Sequence, residues 1–190
     1  MMEFRRDDSG TVSAMFEPVE VDLLRHVTSQ LLQLLASVDT EDAAMLAQPA
    51  IHRLLPAAYP DDPEAAAEFR RFTADGLIEG KLANAGALLA ALGDDEPFAA
   101  SDPADASTDT GTGDSGLPVH DPLPVPIVLD EPQVQSWLRT LTDLRLVVAD
   151  RLQIDSSGTP GLDDEDSRVV NDIYNWLGMV QESLVYAIDA

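Results

Sequence analysis

The feature that most constrains the fold is the stretch 93–126, whose 34 residues cannot form a core of their own. It contains six prolines, four glycines and eight acidic residues, and it has neither lysine nor arginine. Because this composition buries too little apolar surface to offset the entropy lost on ordering, we predict a disordered acidic linker. The ordered fold must then come from the segments on either side.

Short β-strands are predicted at the start of the chain and directly after the linker. The turn residues of "DDSG" separate "MEFRR" from "TVSAMF", a pattern that is typical of a β-hairpin. The segment "IVLD" (127–130) is predicted to be a further strand that pairs with this hairpin. Since a three-stranded element of this kind would join the two halves, we expect a single domain over residues 1–188 that the linker interrupts.

The remaining segments carry apolar residues at three- and four-residue steps, which is the spacing of amphipathic helices. The last helix has a narrow polar face, so we expect it to be the central and most buried one. The fold class is therefore mainly α, a helical bundle with a small β element. The predicted helices run from Pro18 to about Val38, from Pro63 to about Leu92, from Asp130 to about Leu152 and from Ser167 to Ile188, with short ones at "EDAAMLA" and "AIHRLL".

The segment "HRLLPAAYPDDPEAAAEFRRFT" (52–73) contains the predicted start of the second long helix. Asp62 can accept a hydrogen bond from a free backbone N–H of the first turn. Pro63 suits the first helical position, where its missing N–H costs nothing. Glu64 lies at the positive end of the helix dipole. The cluster of prolines and acids is thus a helix initiator.

Two glycines, Gly76 and Gly80, lie four residues apart inside the same predicted helix. Glycine is a poor helix former. The pair therefore indicates either a close approach of a neighbouring helix or a kink between two helices.

Arg70 and Arg71 lie between Phe69 and Phe72. In one interpretation the phenylalanines face the core, and the arginines pair with acidic residues nearby on the helix, which are Glu64, Glu68 and Asp75. In the other, the arginines form a basic spot on an acidic protein and recognise the carboxylates of a partner. The first reading is the more ordinary, since charges on a helix face are usually just solvated.

The charge of the chain restricts its partners, because 35 acidic residues against 11 basic ones give a net charge of −24. Affinity for DNA and RNA comes mainly from Lys and Arg neutralising phosphates, so we expect no direct nucleic-acid binding. An acidic field attracts basic partners or cations, although a solvated acidic surface explains the same composition.

The absence of cysteine excludes disulfides, thiol nucleophiles and thiol redox switches. The start, "MMEFRRDDSG", is charged and lacks the apolar segment of a secretory signal. No apolar run approaches the roughly 20 residues that span a bilayer. We therefore expect a soluble cytoplasmic protein that does not contact membranes.

No motif predicts a catalytic residue, a cofactor site or a metal ligand. "GTGDSG" contains a G-x-G-x-x-G pattern, but it lies in the linker and not between a strand and a helix, as a dinucleotide site requires. "DDEDS" (163–167) lacks the ligand register of a calcium loop. The density of carboxylates prevents the sequence from nominating an acid–base pair. The histidines lack the spacing of convergent metal ligands; they are His26, His52 and His120.

Three segments carry a family resemblance: "HRLLPAAYPDDPEAAAEFRRFT", "WLRTLTDLRLVVADRL" and "YNWLGMVQESLVYAI". They resemble the actinobacterial domain-of-unknown-function family two-thousand-and-seventeen, an oxidative-stress-regulator-like family. The resemblance covers roughly residues 1–92 and 127–188. It implies a cytoplasmic regulator that binds a protein, with a sigma factor or a Clp-system component as the partner. A chain without cysteine cannot sense oxidants directly through thiols.

The leading hypothesis is a non-enzymatic regulatory or adaptor-like protein that acts by protein–protein interaction, in transcriptional or oxidative-stress regulation. A basic region of the transcription or proteolysis machinery is the expected partner. One alternative is a metal-dependent hydrolase or lyase that uses clustered carboxylates; another is a structural helical domain that forms a homodimer. The predicted partner-binding residues, chosen for an exposed and polar setting, are Tyr59, Asp62, Arg70 and Arg71.

Overall fold

The computed structural model describes residues 3–56, 58–59, 61–93, 123–154 and 165–189. The fold is mainly helical with a small antiparallel sheet, as predicted. Most of the predicted linker, including "GTGDSG" and His120, lies outside the described residues. The elements are β1 (Arg5–Arg6), β2 (Val12–Phe16), α1 (Pro18–Ala36), α2 (Ala43–Leu46), α3 (Pro49–Leu54), α4 (Pro63–Ala91), β3 (Val125–Leu129), α5 (Glu131–Arg151) and α6 (Glu165–Asp189).

The three strands form one antiparallel sheet in the order β1-β2-β3, which confirms that the segment after the predicted linker pairs with the N-terminal hairpin. The strand begins at Val125, two residues earlier than predicted, because Val125 pairs with Phe16 and Pro126 pairs with Met15. Proline is tolerated there because β3 is an edge strand. The sequence did not reveal this start because residues 125–126 belong to the proline-rich stretch of the predicted linker.

One face of the sheet packs into the core through aromatic rings. Phe4, Phe16 and Trp137 are buried and meet edge to face, with ring centroids 5.8 to 6.1 Å apart. Along β2 the side chains alternate between buried and exposed, so Val12 and Ala14 join Phe16 on the inner face. The Phe4 N–H also donates to Ser183 Oγ at 2.9 Å, which ties the start of the chain to α6.

The central helix is α5, and the prediction that the last helix is the most buried one is wrong. Helix α5 packs against α1, α3, α4, α6 and β3, and its Trp137 and Leu141 are fully buried. Helix α6 packs mainly on α5 and leaves Met179 and Tyr186 exposed on its other side. Both helices are rich in apolar residues, so hydrophobicity alone does not reveal which one has neighbours on every side.

The helix starts follow the predicted local chemistry. Asp62 precedes α4 and accepts a hydrogen bond from the N–H of Ala65 at 3.0 Å. Asp130 forms a capping box with Gln133 at the start of α5. Each of these two helices also carries proline in its first turn, as expected.

Neither interpretation of the two glycines survives. Helix α4 is continuous from Pro63 to Ala91, so Gly76 and Gly80 do not divide it into two helices. A Cβ atom built at either glycine would meet no atom of another described segment within 4 Å, so no described helix approaches closely there. The glycines instead face open space beside α4.

Candidate functional site

The first half of α4 carries an exposed apolar surface. The exposed fractions are 42% for Phe69, 71% for Phe72, 49% for Leu77 and 49% for the nearby Tyr59. The expectation that the phenylalanines face the core is wrong. The buried residues of this half are Ala66 and Ala74, so it packs through small side chains while its large ones meet solvent.

The two arginines beside these rings form no ion pair with any residue that the structure describes. The guanidinium of Arg71 lies 5.1 Å from the centroid of the Phe72 ring, a cation–π contact. Arg70 is half-buried and lines a small groove together with Leu55 and Phe69. Asp75, a predicted partner, instead accepts a hydrogen bond from the hydroxyl of Thr40 at 2.7 Å. The two guanidinium groups therefore lie beside the apolar side chains without an ion pair to a described residue.

Contacts connect two of the four predicted partner-binding residues, Tyr59 and Arg70, through Phe69, and Arg71 contacts Phe72 on the same stretch of α4. The ring of Tyr59 meets the ring of Phe69 edge to face at 5.9 Å, and Phe69 and Arg70 line the same groove. Asp62 differs, because its carboxylate is occupied as the N-cap of the helix. We call the following residues the α4 surface: Tyr59, Phe69, Arg70, Arg71, Phe72 and Leu77.

A second polar cluster lies between α4 and α5, and sequence reasoning missed it. The Nζ of Lys81 is 2.6 Å from Oδ1 of Asp143, whose side chain is only 5% exposed. Burial raises the pKa of the Asp143 carboxyl, while the hydrogen bond and charge of Lys81 oppose that rise. Two signals could have found the pair: Lys81 is the only lysine of the chain, and Asp143 interrupts the apolar stripe of α5 next to Leu144.

The groove beside this ion pair is open to solvent. Its volume is about 420 Å³, and Gly76 and Gly80 form one wall of it. Asn84, Arg139 and Thr142 also line the groove. The buried pair links α4 to α5, and the hydrogen bond and charge of Lys81 favour the ionised form of the carboxyl against the effect of burial.

The described residues bring no metal site together. No group of three or more His, Asp or Glu side chains among them is placed to hold a metal ion. His26 is exposed and shares a hydrogen bond of 2.9 Å with the Gln30 amide, and His52 is exposed in α3. The hypothesis of a metal-dependent hydrolase therefore receives no support from this part of the chain. Among the same residues, no helix is long and apolar enough to cross a membrane.

The chain matches one known protein family. A family model described as "Domain of unknown function (DUF2017)" matches residues 1–188, and the chain belongs to this family. No curated protein and no solved structure is significantly similar to it.

Proposed function

We propose that this chain is a non-enzymatic regulatory protein that binds another protein through the α4 surface. The observation that carries the proposal is the exposure of Phe69 and Phe72 beside Arg70 and Arg71, on a chain of net charge −24. In a protein with 35 acidic residues, two adjacent arginines without an ion pair to any described residue mark a distinct surface.

The chemistry of this surface indicates what would bind it. Aromatic residues and arginine are enriched at protein interfaces and dominate the energetic hot spots. A partner that covers Phe72 and Leu77 would bury apolar surface, and each Å² of apolar surface buried contributes about 25 cal/mol to the free energy of binding. The adjacent guanidinium groups favour carboxylates, which they can bind in a bidentate manner. The docking segment would therefore present an apolar side chain next to Asp or Glu.

The acidic field of the whole chain favours a basic partner, as expected from the sequence, whereas the α4 surface favours acidic residues in the docking segment. The two preferences act over different distances, because exposed charges are screened beyond about 8–10 Å at ordinary salt. Contact chemistry at Arg70 and Arg71 therefore decides the docking segment. A sigma factor or a component of the Clp protease system, in the cytoplasm, is the partner that the family resemblance implies.

Peptide display tests the contact chemistry without knowledge of the partner. A random library is selected on the wild-type protein and counter-selected on a variant that combines Phe72→Ala with Arg71→Ala. We expect the enriched peptides to carry an apolar residue flanked by Asp or Glu, and to lose at least tenfold in affinity for the double variant, about 1.4 kcal/mol.

A matched control keeps this test specific. The double variant Val19→Ala with Arg5→Ala removes an exposed apolar residue and an exposed arginine from other elements. Its peptide affinities should equal those of the wild type. Enrichment of Lys- and Arg-rich peptides whose binding ignores Phe72 would contradict the proposal and favour binding by the acidic field alone.

Homodimerisation is less compatible with this surface. A symmetric dimer brings the same patch of both copies together, which would place the arginines of both copies in one interface whose α4 surface contains no acidic residue to pair with them. Sedimentation at several concentrations tests this alternative. A dimer that weakens in Phe72→Ala would contradict the proposal of a different partner.

A further inference from the structure

A separate groove runs along the outer side of α6, and one charged side chain of α5 reaches into it. Its volume is about 790 Å³. Arg145 of α5 lines it, together with Tyr174 and Gln181 of α6. Apolar side chains form much of the remaining wall, and Met179 and Tyr186 are exposed there. We call this the α6 groove.

Neutral groups hold the guanidinium of Arg145. Its Nη1 donates to the Gln181 amide oxygen at 2.9 Å, and its Nη2 donates to the Tyr174 hydroxyl at 3.3 Å. The guanidinium carbon lies 4.9 Å from the centroid of the Tyr174 ring. The Nε atom is buried and has no hydrogen-bond partner among the described residues. Two of the five N–H donors of the group are thus matched within the described part of the chain.

The orientation of Gln181 favours this arrangement. Its amide nitrogen donates to the hydroxyl of Thr142 at 2.8 Å, and that hydroxyl donates to the carbonyl of Leu138. These bonds direct the amide oxygen of Gln181 towards Arg145. Gly178 lies against the guanidinium, since a Cβ atom there would be in van der Waals contact with its central carbon at 3.6 Å. The groove therefore holds the cation in a fixed position.

Arg145, like Arg70, is half-buried and has no described counter-ion, whereas two other half-buried bases have one. Lys81 pairs with Asp143, and Arg53 pairs with Asp150 at 3.3 Å. Arg145 forms no ion pair with any carboxylate that the structure describes, although the chain has 35 acidic residues. A half-buried charge that no described carboxylate pairs has lost hydration and, within the described residues, has gained no ion pair in return. An anion from outside the chain would restore that balance.

The lining selects the kind of anion. Glu182 also borders the groove, and the net charge of −24 repels multiply charged anions such as phosphate. Met179, Val185 and Tyr186 offer apolar surface to a ligand body. The volume lies within the roughly 300–1,000 Å³ that is typical of small-molecule sites. We infer that the α6 groove binds a small organic monocarboxylate, with the carboxylate on Arg145 and the apolar body on Met179, Val185 and Tyr186.

A matched pair of probes, 4-phenylbutyrate and its neutral amide, tests this inference. Titration is followed by NMR at the backbone amides of α6 and at the Nε–H of Arg145. We expect the acid to bind at least tenfold more tightly than the amide and to shift the Arg145 signal. The inference would be overturned if the two probes bound equally well. It would also be overturned if the chemical shift of the Arg145 Nε–H signal did not change with the acid at tens of millimolar.

Two variants separate a ligand role from a purely structural one. Arg145→Met should reduce the affinity for the acid to that for the amide and leave the amide unaffected. Glu182→Gln is an exposed change that should not disturb folding, and removal of its repulsion should tighten acid binding about threefold at low salt. Weaker or unchanged acid binding in Glu182→Gln would contradict the assigned position of the carboxylate. Because these residues lie outside the α4 surface, this result and the peptide result are independent.

Discussion

The two halves of α4 share one continuous helix but use their side chains in opposite ways. In the second half, Ile78, Ala85 and Leu88 are buried against the bundle, and Lys81 pairs with a buried carboxylate. In the first half the buried side chains are alanines, while Phe72 is 71% exposed and the adjacent Arg71 has no ion pair with a described residue. The same backbone thus supports a face that holds the fold together and a face that is open to another molecule.

The comparison shows that the type of residue that is buried, and not the number of apolar residues, tells where the stability lies. Burying a large aliphatic side chain contributes about 1.5–3 kcal/mol, whereas a buried alanine contributes much less. Changes in the second half of α4 should therefore affect unfolding. Changes in the first half should mainly affect binding.

The largest expected effect is that of Leu88→Ala in the second half. Leu88 is fully buried, so the truncation should lower the free energy of unfolding by about 3 kcal/mol through lost burial and a cavity. Leu77→Ala, in the exposed half, is the matched control and should cost less than about 1 kcal/mol. Chemical denaturation of both variants measures the difference. Equal losses would remove the distinction between the halves.

Next in size is Lys81→Met, which leaves the buried carboxyl of Asp143 without its cation. We expect a loss of about 2 kcal/mol in the free energy of unfolding at neutral pH, less than for a completely buried pair because Lys81 is partly exposed. Adding Asp143→Leu should recover much of this loss, since no buried charge then remains. Additive losses in the double variant would show that the two side chains do not interact.

The same pair predicts a pH dependence. Burial raises the pKa of Asp143 above its ordinary 3.8, so the folded state binds this proton more tightly than the unfolded state. The stability of the wild type relative to Asp143→Asn should be greatest below pH 3.8 and should fall as the pH rises through the raised pKa. In Lys81→Met the pKa should rise further, which extends the fall to higher pH. A difference that is constant with pH would contradict the burial of this carboxyl.

A smaller effect of opposite sign is expected at the two glycines. Because a Cβ atom at Gly76 or Gly80 meets no other described segment within 4 Å, replacement by alanine adds helix propensity without a clash among the described residues. Each substitution should raise the free energy of unfolding by about 1 kcal/mol. Thermal and chemical denaturation measure this gain. A loss of stability would mean that a neighbouring segment packs more closely against α4 than the structure shows.

The smallest effect on stability is expected from Phe72→Ala. The ring is mostly exposed and its main described contact is with Arg71, so the free energy of unfolding should change by less than about 0.5 kcal/mol. Denaturation measures this quantity on the same sample that is used for peptide binding. A loss above about 2 kcal/mol would show that Phe72 belongs to the fold and that any loss of binding is indirect.

Much of the fold could be predicted because its signals are local. Asp62 and Asp130 precede prolines at the starts of α4 and α5, and helix N-termini need acceptors for their free N–H groups. The turn residues of "DDSG" predicted the hairpin that contains β2, and "IVLD" predicted the strand that pairs with it. Such features depend on neighbours along the chain.

The candidate sites were less accessible to sequence reasoning because they depend on contacts between distant segments. Lys81 and Asp143 are 62 residues apart, and Arg145 and Gln181 are 36 apart. Arg70 and Arg71 were identified from the sequence, but their setting was not, since both phenylalanines fit an apolar stripe. A second apolar stripe of the same helix runs through Ile78, Leu82 and Leu89, and only the packing of the bundle shows which of the two stripes is covered.

By itself, the sequence determined the helical class, the capped helix starts, the strand that closes the sheet and the strongly acidic charge, because propensity, capping and composition act over a few residues. Tertiary structure alone decided that α5 is central, that Phe69 and Phe72 face solvent, and that Arg145 lies among neutral partners. The physical reason is that burial depends on which elements lie opposite one another. The spacing of apolar residues along the sequence is the same whether another element of this molecule or a partner molecule packs against them.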